Sequence, residues 1–172
     1  MKETLSRLLK RVLHPWALSH ETPQLVDPLD YEKMIHLDAE DLAEGGLATA
    51  YEKLLPEILK FVPNPVPAVE EFTAADGDLK ARAGGQVYTI WSKSGDRGEG
   101  WVNAPIALFD IVNRNLENTN VRLYAFYGDN DLSAMFLTED QVAKARAALP
   151  KRSDWPYLLV NEPPHYGFPN AA

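Results

Sequence analysis

Residues 69–92 read VEEFTAADGDLKARAGGQVYTIWS, three short runs of strand-forming residues with turn residues between them. Val69–Thr73, Leu79–Ala83 and Val87–Ser92 are the runs, and Ala75-Asp76-Gly77 and Gly84-Gly85 join them. Paired glycines reach the positive φ values that a two-residue hairpin loop demands, so this stretch predicts an antiparallel hairpin block. The rest of the chain is read outward from it.

Upstream, FVPNPVP (61–67) cannot continue a helix and separates the strands from a helical region. There Leu47, Tyr51, Leu54, Leu55, Ile58 and Val62 recur at helical spacing, while Gly45-Gly46 and Pro56 interrupt it. Two helical pieces, or one helix kinked near Pro56, are expected. Asp38 is the expected N-cap, with Asp41 completing a variant capping box and acidic residues in the first turn. At the start of the chain Leu5, Leu8, Leu9 and Val12 mark an amphipathic helix that carries Lys2, Arg7, Lys10 and Arg11. Those charges break up any signal-peptide core, so the segment is expected to stay on the chain, and no apolar run approaches a membrane span.

Downstream, KSGDRGEG (93–100) is a polar loop, and Asn103 is the expected cap of a helix buried on Ile106, Phe109, Val112 and Leu116. Val121–Tyr127 is apolar on both alternations apart from Arg122, the pattern of a strand covered on both faces. Gly128-Asp129-Asn130-Asp131 turns into a last strand, Leu132–Leu137. Thr138 and Gln141 then form a capping box for a helix on Val142, Ala145 and Leu149. Trp155, Pro156, Tyr157 and Leu158 are expected to pack back on the body.

These readings predict an α+β fold, a mainly antiparallel sheet of about five strands with four to five helices packed around it. Residues 1–172 read as a single domain, with 1–30 an N-terminal helix and wrapping loop and 159–172 a loose tail. A chain of this length buries about 70% of its unfolded surface, so no metal or disulfide staple is needed. Cysteine is absent, which excludes disulfides, thiolate catalysis and Cys-ligated zinc and fits a cytoplasmic location.

The charge is uneven. Between Asp27 and Glu71 there are eleven acidic residues against three basic ones, a surplus as large as the formal net charge of −8 on the whole chain. Such a surface steers cationic partners and repels nucleic acid and anionic membranes.

Motifs for catalysis do not emerge. His14, His20, His36 and His165 show no metal-ligand spacing, and no serine lies in a nucleophile elbow. The SGDRGEG glycines lack either phosphate-binding order. Asp129, Asp131 and Ser133 imitate the opening of a calcium loop with Asp140 at its twelfth position, but Ala134 replaces the required glycine and Met135, Phe136 and Leu137 fill the ligand stretch. An Asp/Asn-rich hairpin turn is the expected structure, with no metal and no cofactor. Glu70 and Glu71 are strand neighbours whose side chains face opposite sides, unlike a glycosidase pair. The aromatic residues have no interleaved basic stripe for base stacking; most are expected in the core, with Trp101 the best exposed anchor.

The phrase YGDNDLSAMFLTEDQVAKARAALPKRSDWPYL (127–158), preceded by DLAEGGLATAYEKLLPEI and FDIVNRNL, resembles small bacterial immunity proteins of polymorphic and type VI secretion toxin systems. The resemblance covers roughly residues 39–158. It implies a non-enzymatic protein that binds a cognate toxin with a basic surface and occludes its active site. On this reading the partner-binding residues are Asp38, Glu40, Asp41 and Glu44, the Asp129, Asn130 and Asp131 turn, and Trp101. Two alternatives stay open: an adaptor or chaperone for a secretion-system effector, docking through the N-terminal basic helix, and a metal-dependent acidic hydrolase assembled from Glu70 or Glu71 with Asp129 and Asp131 across the sheet.

Overall fold

The computed structural model describes residues 28–95 and 99–169. The amphipathic helix expected at residues 5–12, most of the wrapping loop and the middle of the 93–100 loop lie outside the described residues.

After a 3-10 turn at Tyr31–Lys33 come the two-residue strand β1 (Ile35–His36) and the single helical turn α1 (Ala39–Asp41). A π-type turn, Leu42–Gly46, leads into α2 (Leu47–Ile58). The hairpin block follows as β2 (Glu70–Thr73), β3 (Leu79–Ala83) and β4 (Gln86–Trp91). Next are α3 (Glu99–Asn115), β5 (Val121–Phe126), a 3-10 turn at Asp129–Asp131, β6 (Ser133–Thr138) and α4 (Glu139–Ala148).

The class is α+β, as expected, but the strands divide between two antiparallel sheets of three, ordered β2-β3-β4 and β1-β6-β5. The expected single sheet of about five strands with four to five helices is therefore corrected: among the described residues only α2, α3 and α4 are helices of more than one turn. Helix α3 packs against β4, β5 and α2 and joins the two sheets. The main core draws on Ala81 and Ile90 from one sheet, Leu123 and Ala134 from the other, and Leu54 and Leu108 from the helices. A second apolar cluster, with Tyr124, Phe126, Met135 and Val142, fills the space between β5, β6 and α4. Strand β5 is thus buried on both faces, as its run, apolar apart from Arg122, predicted.

Local chemistry explains most boundaries. Gly84 and Gly85 both have positive φ, 54° and 80°, and close the β3–β4 hairpin. The break between helical pieces falls at Gly45 and Gly46, not at Pro56, which sits inside α2. Gly45 has φ 103°, and a Cβ on Gly46 would stand 2.5 Å from the Asp41 carbonyl oxygen. Only glycine fits both demands. Beyond the break Leu47, Tyr51, Leu54 and Ile58 are fully buried, each contributing about 1.5–3 kcal/mol through lost contact with water.

Asn103 is not a cap. Helix α3 already runs from Glu99, and the Asn103 amide donates to the Ile90 carbonyl at 3.3 Å, tying the helix to β4. The Thr138–Gln141 capping box is present in full. Asp38 caps α1 as expected, accepting from the N–H groups of Glu40 at 2.9 Å and Asp41 at 3.4 Å. The reciprocal half of its box is replaced, because the Asp38 N–H points to the Leu132 carbonyl at 3.4 Å.

Tyr157 packs back as predicted, exchanging backbone hydrogen bonds with Ala125 at 2.8 and 3.0 Å. Residues 159–169, read as a loose tail, return to the body as well. Leu159 and Phe168 pack on the main core, and the Phe168 ring meets Tyr157 edge-on at 5.1 Å.

Candidate functional site

The two acidic stretches lie about ninety residues apart, and the β1–β6 pairing brings them side by side. Leu37 donates its N–H to Leu132 at 2.9 Å, which sets the start of α1 against the Asp129–Asp131 turn. Across this junction the Asn130 amide reaches the Glu40 carboxylate at 3.5 Å. Asp41, Glu44, Asp129 and Asp131 are exposed. Asp38 is different: its carboxylate is engaged by two backbone N–H groups of its own helix, so it shapes the rim and is half-buried.

Beside this rim opens a cleft of about 340 Å³. Its inner lining includes the buried Leu132, Pro105 and Tyr157; the half-buried Tyr166 and Phe168 close one side. Exposed Trp101, Asp129 and His165 stand at the mouth. Trp101 keeps 53% of its surface open to solvent, unusual for the largest apolar side chain and expected of a docking anchor. Pro105, in α3, has no N–H to offer the carbonyl of Trp101 one turn earlier.

The rim is electrostatically uncompensated among the described residues. The ion pairs there engage Asp30, Glu57, Asp76, Asp78, Glu70 and Asp110, and none includes Glu40, Asp41, Glu44, Asp129 or Asp131. The field of Asp129 reaches inward. The Tyr157 phenol is held well above its ordinary titration range, first by burial and then by the negative charge of Asp129. Its proton stays in place as a donor to the Tyr127 carbonyl at 2.6 Å.

Backbone strain gathers here too. Asp38, Tyr127, Asp129 and Tyr166 are the non-glycine residues with positive φ among the described residues, at 50°, 57°, 53° and 48°. Two line the cleft and the other two adjoin lining residues Ala39 and Gly128. Aspartate tolerates this region; tyrosine does so at a cost of about 1 kcal/mol or more.

Several expected arrangements are not assembled. Glu70 and Glu71 lie in the β2-β3-β4 sheet, whereas Asp129 and Asp131 belong to the turn of the other sheet. Glu71 is also occupied, accepting from the N–H groups of Leu47 and Ala48 at 3.3 and 3.0 Å at the start of α2. Glu70 pairs with Arg82 on the exposed face. In the calcium-loop imitation the Ser133 hydroxyl turns back to the Asp131 carbonyl, and Asp140 lies across β6 in the first turn of α4. Among the described residues no three His, Asp or Glu side chains converge on a point where a metal could sit, and no helix is long and apolar enough to cross a membrane.

The cleft walls supplied by Tyr166, Phe168 and His165 escaped the sequence reading, because they lie in the proline-rich end assigned to a loose tail. The signal was there, in the aromatic residues that follow the prolines. Comparison of the chain with protein-family models, with curated proteins and with solved structures finds no match in any of the three.

Proposed function

We propose that this chain is a non-enzymatic binding protein that docks a cationic protein at the aromatic cleft and its acidic rim. Its role is that of an immunity protein, neutralising a cognate secreted antibacterial toxin by covering the toxin's active site in the cytoplasm. One observation carries this reading: an exposed tryptophan and the Asp129 carboxylate stand at one cleft, and the acidic start of α1 is held beside it through the Asn130–Glu40 contact. An aromatic anchor surrounded by like charges is the composition that gives a protein interface both affinity and fast, selective encounter. A tight inhibitor buries roughly 1,600 Å² in total, far more than the cleft, so the rim and the neighbouring faces of α1 and the Asp129–Asp131 turn would belong to the contact.

The test is co-expression with the product of the neighbouring gene, followed by size-exclusion chromatography and a growth assay. A one-to-one complex and relief of toxicity are expected. Absence of both overturns the proposal.

A further inference from the structure

We propose that the cleft receives one arginine side chain of the partner, stacked against Trp101 and paired with the Asp129 carboxylate. The inference rests on the reading of the rim as a docking surface for a cationic protein and names the group that the surface grips.

The lining selects the ligand. A lysine ammonium is compact and strongly hydrated, and an interior of Leu132, Pro105, Tyr157 and Phe168 gives it little in return for lost water. A guanidinium is planar and weakly hydrated, stacks on aromatic faces, and carries an aliphatic stem that this lining accepts. Its donors find an acceptor at the mouth. Asp129 offers a carboxylate with no cation beside it among the described residues, and a carboxylate accepts two guanidinium N–H groups at once.

The walls are also built to hold their shape. All four positive-φ non-glycine residues of the described chain lie at this cleft or beside its lining, and the surrounding contacts keep them there. The Tyr157 hydroxyl bonds the Tyr127 carbonyl, and a side chain on Gly167 would collide with the Leu158 carbonyl, so the Tyr166–Phe168 wall sits tightly on the segment beneath it. Another groove along α3, lined by Phe109, Asp110 and Leu158, lacks such a free carboxylate: Asp110 is already taken by Tyr88 at 2.7 Å and Arg114 at 2.6 Å.

The experiment titrates the full chain with N-acetylarginine amide, N-acetyllysine amide and N-acetylcitrulline amide, following the Trp101 indole resonance and the heat of binding. Citrulline keeps the shape of arginine and removes its charge. Arginine amide is expected to saturate in roughly the millimolar range, as one anchored side chain should, with citrulline and lysine weaker by about tenfold or more. Trp101→Ala should abolish the binding, and Asp129→Asn, which tolerates the same backbone conformation, should weaken it by about tenfold. No saturable binding of arginine amide, equal binding of citrulline, or full binding by folded Trp101→Ala overturns the inference. The two proposals fail separately: a cleft that takes arginine amide in a protein that neutralises nothing removes only the immunity role, whereas a neutralising complex untouched by Trp101→Ala removes only the arginine pocket.

Discussion

The side chain of Asn113 bonds both backbone groups of Leu123, its Nδ2 donating to the carbonyl at 3.1 Å and its Oδ1 accepting the N–H at 2.7 Å. A primary amide presents the same donor and acceptor as a peptide unit, so α3 closes the free edge of β5 where another strand would have paired. Tyr157 does the same for Ala125 through its backbone. A buried strand edge left open would strand polar groups and invite pairing with other chains.

Asn113→Ala therefore leaves one donor and one acceptor unpaired beside a fully buried residue. We expect a loss of about 2 kcal/mol, read from urea denaturation, together with faster hydrogen exchange at the Leu123 amide. An unchanged midpoint with unchanged exchange would show that water replaces the amide without cost.

Glu70 and Glu71 are sequence neighbours with opposite assignments. Glu71 satisfies two N–H groups at the start of α2 from another element, while Glu70 pairs with Arg82 in solvent. Glu71→Ala should cost about 1–2 kcal/mol, the range of a lost helix cap, and Glu70→Ala about 0.5 kcal/mol or less. Equal effects in paired urea titrations would mean that the cap contributes no more than a surface ion pair.

The hairpin block was legible almost residue by residue, because Gly84-Gly85 dictates its turn and the flanking runs have strand composition. Capping at Asp38 and Thr138 was legible for the same reason: a short polar side chain stands directly before an apolar period. What escaped depends on contacts distant in sequence. Nothing local says that Asn113 will serve as a strand edge, that two residues at Ile35–His36 will pair with β6, or that the strands will split between two sheets. Asn103 misled by residue type, since a short polar side chain there suggested a helix cap while α3 begins a turn earlier and carries Pro105 inside. At the site, the separate acidic stretches and Trp101 could be named from sequence, but their convergence follows from the β1–β6 register, and the aromatic wall from the returning tail.

Alkaline pH should weaken the fold in a traceable way. Burial, and then the hydrogen bond to Asp110, push the Tyr88 phenol up to about 12. The unfolded chain releases that proton near 10, so the native state binds it more tightly. The stabilisation is complete below pH ~10 and falls as pH rises from there through about 12. Tyr88→Phe should flatten part of this fall, measured as urea midpoints between roughly pH 9 and 11.5. Tyr51, Tyr124 and Tyr157 are shifted in the same direction by burial, so a residual slope is expected. A slope identical to that of the parent protein would contradict the assignment.

Rim and anchor should separate kinetically. Under the proposed docking, Glu40, Asp41 and Asp131 would act at a distance through their field, which speeds encounter with a cationic surface and is screened by salt within about 10 Å at 0.1 M ionic strength. Trp101, as the proposed anchor, would act only after contact, by excluding water from its surroundings. Neutralising the three carboxylates together (Glu40→Gln, Asp41→Asn, Asp131→Asn) should lower the association rate with the proposed cationic partner by about tenfold at low ionic strength and leave dissociation nearly unchanged. Asp38 is left intact because its carboxylate caps α1, and removing it would confound folding with binding. Trp101→Ala should instead raise the dissociation rate and preserve the salt dependence of association. Surface-plasmon measurements across a salt series distinguish these outcomes. If the neutralised variant associates as fast as the parent protein at low salt, the acidic rim does not steer the partner and the docking surface lies on another face.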